Sequence, residues 1–199
     1  MTARIPQSQR PTVKVILVGG SGVGKTCLIS SFLKQSFDTN SLSTVAPAYS
    51  YSDVKNSRGT SVRLQIWDTA GQERYHSVSQ LFFRDSDVAF VCFEAQYPAS
   101  LSSVHDWVKR VREEVKSCEL FFVVTKSDLR TKEELETIKQ EAMAQVSCYD
   151  PKGIFVTSSL TKEGVTEIFN AAADLYKPKS AQVSQTADLT KKEKSKTCC

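Results

Sequence analysis

The octapeptide Gly19–Thr26, which reads GGSGVGKT, constrains this chain more than any other stretch. It fits the phosphate-loop pattern of Gly, four residues and then Gly-Lys-Ser/Thr. Glycines allow the chain to curl tightly enough for several backbone N–H groups to converge on one polyphosphate. In such a loop Lys25 adds positive charge at the terminal phosphates, and Thr26 offers its hydroxyl to Mg²⁺, which prefers hard oxygen ligands. The octapeptide therefore predicts a nucleotide site.

The segments on either side of the octapeptide support this interpretation. The β-branched run Thr12–Val18 predicts a buried strand before the loop, and Cys27–Leu33 continues as a helix after it. The N-terminus of that helix would add its own unpaired N–H groups and its dipole. A glycine-rich turn followed by a chance Lys-Thr is the competing interpretation, and the flanking elements disfavour it.

The composition predicts one globular domain with flexible ends. The chain has 199 residues, of which 40% are hydrophobic and 24% charged. We assign residues 1–11 to a flexible lead-in, 12–177 to the domain and 178–199 to a polar tail. The tail holds five lysines and two acidic residues, so it carries +3 of the formal net charge of +4. The nearly neutral domain argues against nucleic-acid binding, whereas the basic tail indicates an anionic membrane surface.

The cysteines before the tail are widely spaced and form no Cys-x-x-Cys pair, and the chain has only two histidines. This spacing disfavours zinc and disulfides. We predict that these cysteines are small buried or half-buried side chains in a reducing compartment. They are Cys27, Cys92, Cys118 and Cys148.

The remaining elements alternate along the chain. Ala48–Asn56 and Ser61–Trp67 flank a turn and predict a hairpin. Beyond it, apolar runs predict buried strands, and apolar residues at helical spacing predict helices between them. This order predicts an α/β fold with a six-stranded, mostly parallel sheet, one antiparallel edge strand and helices on both faces. The strands are predicted at 88–93, 120–124 and 153–157, and the helices at 101–115, 132–147 and 165–176.

Open α/β sheets bind ligands at the carboxyl ends of their strands, and polar motifs follow the strands here. Asp68 follows the second hairpin strand and can hold Mg²⁺ through water opposite Thr26. Asp128 lies in a Thr-Lys-Ser-Asp loop after another strand. Its carboxylate can accept hydrogen bonds from the N1 and exocyclic amine of guanine, a donor pair that adenine does not present. Together with Thr157–Ser159 after the last strand, these loops predict a guanine site.

Over about Val13–Tyr176 the chain resembles Ras-superfamily small GTPases of the Rab type. The resemblance extends to four further strings: Arg63–Trp67, Arg74–Ser79, Phe82–Arg84 and Val91–Glu94. It implies the three-layer P-loop NTPase fold of small G proteins. It also implies an enzyme that hydrolyses GTP to GDP and phosphate, with GTP/GDP and Mg²⁺ as its cofactors.

The resemblance assigns roles to the site residues. Gln72, Lys25 and Gly71 would be catalytic, with Gln72 orienting the attacking water. The Mg²⁺ shell would comprise Thr26, Thr44 and, through water, Asp68. Phosphate contacts would come from Gly19, Ser21, Gly22, Val23, Gly24, Lys25, Thr26, Cys27, Thr44 and Gly71. Guanine contacts would come from Phe37, Thr125, Lys126, Asp128, Ser158, Ser159 and Leu160. No arginine is placed as a finger in cis, so intrinsic turnover should be slow.

The resemblance also implies partners and a location. Tyr49, Trp67 and Phe82 would form an exposed aromatic triad that binds effectors; for Trp67 the alternative is ordinary core packing. Other partners would be an activating protein, an exchange factor, and a dissociation inhibitor or prenylation escort, acting on a monomer. Geranylgeranyl groups on Cys198 and Cys199 would anchor the tail, since two lipid chains hold far more firmly than one. The expected role is vesicular traffic at the cytosolic face of endomembranes, and Gln72–Ser77 is similar to endocytic members.

Three departures from the family pattern bear on function. Thr125 replaces an Asn whose side chain links the base loop to the phosphate loop, and Leu160 replaces a Lys that stacks over guanine. We therefore predict weaker nucleotide affinity than is typical. Pro47 stiffens the exit from the first switch. The alternative function is a nucleotide-binding interaction module with little hydrolysis; a small-molecule P-loop kinase is disfavoured because no arginine-rich lid follows the central strands.

Overall fold

The computed structural model describes residues 10–34, 48–68, 82–96 and 99–177. Within these ranges the chain forms a six-stranded sheet with helices packed against it. The strands are β1 (Thr12–Val18), β2 (Ala48–Lys55), β3 (Ser61–Asp68), β4 (Val88–Glu94), β5 (Glu119–Thr125) and β6 (Gly153–Val156). The helices are α1 (Lys25–Phe32), α2 (Ala99–Ser102), α3 (Val104–Glu114), α4 (Lys132–Val146) and α5 (Val165–Asp174). Short 3-10 helices span Ser127–Leu129 and Ser147–Tyr149.

The strand order is β2-β3-β1-β4-β5-β6. All neighbouring strands run parallel except β2, which pairs antiparallel with β3 at the edge of the sheet. The predicted fold class is therefore confirmed, including its single antiparallel edge strand. Because β1, β3, β4, β5 and β6 run in the same direction, the loops that follow them meet along one edge of the sheet.

Two hydrophobic clusters lie on opposite faces of the sheet, as the side-chain alternation of β4 demonstrates. Phe90 belongs to a cluster with residues of α1 and α5, whereas its neighbours Ala89 and Val91 belong to a cluster with residues of α3 and α4. In the first cluster Phe32 of α1 stacks on Phe169 of α5, with ring centroids 3.8 Å apart. Because β4 is buried on both faces, its residues Val88–Phe93 form an unbroken apolar run in the sequence.

Three local predictions need correction. The helix expected over 101–115 is two helices that are separated at Ser103, whose ψ of −11° departs from the α-helical value of about −42°. Tyr176 lies beyond α5, although it still packs, half-buried, against the first cluster. Cys148 is exposed in the short helix after α4, where its Sγ lies 3.8 Å from the Gln145 carbonyl oxygen.

The other three cysteines agree with the prediction, since Cys27 is half-buried and Cys92 and Cys118 are buried. Burial raises the pKa of the Cys92 thiol and of the Cys118 thiol to about 12.

None of the helices among the described residues is long and apolar enough to cross a membrane.

Candidate nucleotide-binding site

The phosphate loop joins β1 to α1, and three of its glycines, Gly19, Gly22 and Gly24, have conformations that other residues rarely adopt. Gly19 has φ +143°, and a Cβ added there would lie 2.3 Å from the Cys92 carbonyl oxygen of β4. Gly24 has φ +95° and directly precedes the first residue of α1. Glycine is therefore needed at position 19 for close approach to β4 and at position 24 for the left-handed entry into the helix.

Lys25 folds back over this loop. Its side-chain ammonium donates hydrogen bonds to the carbonyl oxygens of Gly19, at 2.8 Å, and Gly20, at 2.7 Å. The residue is only 5% exposed. A lysine is rarely buried unless it is paired, and here the loop carbonyls stabilise it. The contacts hold a positive charge beside the N-terminus of α1, where an anion is favoured.

Thr26 and Asp68 meet at the carboxyl end of β3. The Thr26 hydroxyl donates to Asp68 Oδ2 at 2.5 Å, and Asp68 is only 2% exposed. Its other oxygen, Oδ1, is buried without a hydrogen-bond partner among the described residues. A buried carboxylate oxygen without a donor is unfavourable unless a cation or donor joins it. A hydroxyl and a carboxylate are hard oxygen ligands, so this pair fits Mg²⁺.

Thr125 connects the base loop to the phosphate loop. Its Oγ1 lies 2.6 Å from the Val23 carbonyl oxygen and 3.0 Å from the Phe93 carbonyl oxygen, and the residue is buried. A hydroxyl has one proton to donate, so the shorter distance favours the bond to Val23. Thr125 therefore connects the base loop to the phosphate loop, although the family pattern has an Asn at this position. The weaker nucleotide affinity stays a prediction.

Asp128 is held by the loop after β6. Its Oδ1 accepts a hydrogen bond from the Ser158 hydroxyl at 2.5 Å, and that hydroxyl accepts one from the Thr161 N–H at 3.1 Å. Ser158 is fully buried, whereas Asp128 is exposed. The second oxygen of Asp128 has no hydrogen bond within the described ranges, so it can accept from a ligand without breaking a contact. Ser159 is half-buried and Leu160 is 55% exposed beside it.

The Lys126 side chain lies between the base loop and the phosphate loop. Its φ is +57°, and its Nζ lies 3.0 Å from Glu94 Oε1 at the end of β4. A Cβ added to Gly24 would lie 4.0 Å from Lys126 Cε, so the side chain passes close to the phosphate loop. The predicted phosphate and base motifs thus converge at the carboxyl ends of β1, β3, β4, β5 and β6.

A model of the Ras family matches residues 14–177, the whole of the region that carries these loops. The chain belongs to the Ras family of small GTPases. Its curated relatives include Rab and Rho proteins. It is 31% identical over 160 residues to the GTP-binding protein ypt5 of Schizosaccharomyces pombe, covering 80% of this chain and 75% of that protein. It is 31% identical over 207 residues to the Ras-related protein Rab-34 of Homo sapiens, covering 94% and 79%.

The Rho-related GTP-binding protein RhoB of Homo sapiens is 36% identical over 173 residues, covering 80% of this chain and 86% of RhoB. The resemblance inferred from sequence is confirmed: the chain is a Rab-like small GTPase, and Ras-family GTPases are GTP hydrolases. Similarity to both Rab and Rho proteins means that identity alone does not fix the subfamily.

The small GTPase has an aromatic face next to this site. Tyr49 and Trp67 have ring centroids 4.9 Å apart, and those of Trp67 and Phe82 are 5.5 Å apart. Tyr49 is exposed, but Trp67 and Phe82 are half-buried because they also pack against the second hydrophobic cluster. The expectation of an exposed triad is therefore met fully only by Tyr49. Tyr51, two residues along β2, is also exposed, and its ring centroid lies 6.5 Å from that of Tyr49.

Several predicted site residues of the GTPase lie outside the described residues. They are Phe37, Thr44, Gly71, Gln72, Cys198 and Cys199, and Pro47 lies outside the described residues as well. His105, to which we assign no role, is exposed, and its Nδ1 lies 2.6 Å from the Tyr149 hydroxyl.

Sequence reasoning missed Glu94, the partner of Lys126. Glu94 is the last residue of an otherwise apolar strand, and a charged residue in that position is the signal that marks it. Tyr51 was missed for a different reason, since only the alternation of exposed residues along β2 reveals it.

Proposed function

We propose that this GTPase is a membrane-tethered switch that cycles between GTP and GDP and recruits effectors in its GTP state. The observation that carries the proposal is the convergence of three prepared groups at one edge of the sheet. They are Lys25 over the phosphate loop, the Thr26–Asp68 pair, and Asp128 fixed by Ser158. Their chemistry matches the phosphates, the metal and the base of a guanine nucleotide, in that order.

At the phosphate end, the loop N–H groups and Lys25 bind the polyphosphate and stabilise the charge that develops during transfer to water. Thr26 and Thr44 would hold Mg²⁺, with Asp68 contributing through water. The metal supplies cancellation of phosphate charge. Gln72 orients the attacking water, and the Gly71 N–H contacts the γ-phosphate, which ties the second switch to the presence of GTP.

At the base end, Asp128 accepts from guanine while the Lys126 stem packs against the ring. Phe37, Thr125, Ser158, Ser159 and Leu160 complete this part of the site. Because Asp128 offers two acceptor oxygens and no donor, adenine with its N1 acceptor does not satisfy it. The site is therefore selective for guanine.

The output of the switch is partner binding through the aromatic face of Tyr49, Trp67 and Phe82. Aromatic rings supply large contact areas at low conformational cost, so they suit recognition. The cycle requires an activating protein, an exchange factor and a dissociation inhibitor or prenylation escort. The basic tail, lipidated at Cys198 and Cys199, holds the GTPase at the cytosolic face of endomembranes.

Vesicular traffic is the role that Rab-type similarity supports. The relatives ypt5 and Rab-34 and the aromatic face favour it, whereas the similarity to RhoB makes a Rho-type role the second candidate. The deciding experiment is a pull-down of partners from cytosol on protein loaded with a GTP analogue or with GDP. Chromatography identifies the bound nucleotide. Rab effectors captured only on the protein loaded with the GTP analogue support the proposal, and Rho-type effectors captured instead contradict it.

Hydrolysis and tethering are tested separately. Single-turnover release of γ-phosphate should exceed that of a Gln72→Leu control, and equal rates would favour an interaction module that does not cycle. A variant with both Cys198→Ser and Cys199→Ser should leave the membrane fraction and stay in the supernatant after sedimentation. Retention of that variant on membranes would refute lipid anchoring at these cysteines.

A further inference from the structure

The ion pair between Lys126 and Glu94 joins the ends of two neighbouring strands. Lys126 Nζ lies 3.0 Å from Glu94 Oε1, and the side chains are 37% and 10% exposed. Glu94 ends β4 and stands in register with Thr125, which ends β5. The Ala95 N–H donates to the Thr125 carbonyl oxygen at 3.0 Å, so the two strand ends are also joined through the backbone. The carboxylate of Glu94 therefore projects from a fixed point.

Lys126 is restrained at both ends of its side chain. Its backbone has φ +57°, a left-handed conformation that few residues other than glycine adopt. Its Nζ is bound by Glu94, and its Cε lies 4.0 Å from the position of a Cβ on Gly24. The end of the methylene stem thus lies beside Gly24 of the phosphate loop. An unpaired lysine would lose this order, because a long side chain gains rotamer freedom when its end is released.

The placement of Glu94 is costly for a site that binds an anion. A carboxylate with 10% exposure is poorly solvated, and it repels the negative charge of a polyphosphate bound nearby. The pairing with Lys126 offsets both costs. It also neutralises the lysine, so the part of Lys126 that a ligand meets is its apolar stem.

We propose that Glu94 is a positioning residue for guanine nucleotide. By holding Nζ of Lys126, it keeps the methylene stem in place as one wall of the base pocket, so that less ordering is needed when the base binds. This inference rests on the proposed function, because it assumes that the base lies against Lys126. It predicts that Glu94 controls how long GDP stays bound, although Glu94 itself touches no nucleotide.

The test is the rate of dissociation of a fluorescent GDP analogue from the Mg²⁺-loaded full chain. Glu94→Gln keeps the shape of the side chain and removes its charge. We expect it to accelerate dissociation about fivefold, a modest effect because Lys126 is partly exposed. The matched control is Glu119→Gln, which removes the charge from a second lysine pair, with Lys152 at 3.6 Å, at the start of β5. The control should dissociate at the wild-type rate.

A double-mutant cycle separates positioning through Lys126 from a general loss of structure. Lys126→Met keeps an unbranched stem without the ammonium and should also accelerate dissociation. If Glu94 acts through Lys126, the double variant dissociates no faster than Lys126→Met alone. Effects that multiply in the double variant overturn the inference. Because Lys126 is half-exposed, its variant probes the same contact even if Glu94→Gln folds poorly.

Failure of this inference and failure of the proposed function give different results. If the wild-type chain does not retain the GDP analogue, the guanine switch itself is wrong. If the wild type retains it and Glu94→Gln dissociates at the same rate, only the positioning role of Glu94 is overturned. Far-ultraviolet circular dichroism of each GDP-loaded variant checks that the fold is intact.

Discussion

The two ends of the nucleotide site are built on different kinds of contact. At the phosphate end, the functional side chains contact groups that belong to the site itself. Lys25 is bound to the carbonyl oxygens of its own loop, and Thr26 is bound to Asp68. Phosphate and metal must compete with these contacts when they bind. The phosphate end is therefore sensitive to which ligand is present, as a switch requires.

At the base end, buried hydroxyl groups make the contacts, and a ligand need not displace them. The Thr125 hydroxyl contacts Val23, and the Ser158 hydroxyl binds one oxygen of Asp128 while leaving the other without a partner among the described residues. These buried hydroxyls can keep their contacts when a base enters. The base end is therefore prepared in advance, and preorganisation of this kind supports selectivity more than responsiveness.

The largest expected effect tests selectivity at the base end. Asp128→Asn replaces two acceptor oxygens by one acceptor and one donor, so guanine loses a partner for its N1–H and exocyclic amine. We expect the affinity for GDP to fall about 1,000-fold, because two charge-assisted hydrogen bonds are affected. Xanthosine diphosphate, which has a carbonyl in place of the exocyclic amine, should bind the variant better than GDP does.

Competition between the two diphosphates against a fluorescent GDP analogue measures this change. The matched control is Asp150→Asn, an exposed aspartate in a left-handed turn before β6. If Asp128→Asn kept the wild-type preference for GDP, Asp128 would not read the base.

A smaller loss is expected at the phosphate end. Lys25→Met removes the buried ammonium but keeps the stem, and we expect the affinity for Mg²⁺-GDP to fall about 100-fold. Isothermal titration calorimetry measures it. Lys132→Met, at an exposed position that begins α4, is the control and should bind as the wild type does. Equal affinity of Lys25→Met and the wild type would mean that the loop N–H groups alone bind the phosphates.

The sequence predicts the elements of this molecule better than the contacts between them. β4 and β5 are unbroken apolar runs, and the phosphate loop is defined by spacing alone, so both are readable from local pattern. The pairing of Glu94 with Lys126 and the contact of Thr125 with Val23 join residues far apart in the chain. Such contacts follow from strand order, which local periodicity does not encode.

Local errors have local causes. The exposure of Cys148 follows from a short 3-10 helix at the end of α4, where the apolar period had already ended. The break between α2 and α3 occurs at Ser103, although the apolar residues on either side keep helical spacing. A helix that restarts after one residue preserves much of its buried face, so periodicity alone does not detect the break.

A moderate effect is expected from the contact that connects the two ends of the site. Thr125→Val removes the hydroxyl and keeps the shape, which leaves the Val23 carbonyl oxygen without this donor. We expect GDP to dissociate about tenfold faster, the size of one lost buried hydrogen bond. Stopped-flow fluorescence measures the rate. Thr137→Val is the matched control, because its hydroxyl also donates to a backbone carbonyl, that of Glu133, on the exposed face of α4. An unchanged rate for Thr125→Val would show that the two ends are independent.

The smallest effect is a gain at the rim of the base end. Leu160 is 55% exposed, and a leucine cannot place a long apolar stem over guanine while keeping a charged end in water. Leu160→Lys should therefore slow GDP dissociation, by about threefold, since a single partly exposed contact is gained. Met143→Lys, at an exposed position on α4, controls for the added charge. If Leu160→Lys and Met143→Lys slowed dissociation equally, the gain would be general electrostatic attraction. If neither variant slowed dissociation, the prediction that Leu160 lowers the affinity for GDP would be wrong.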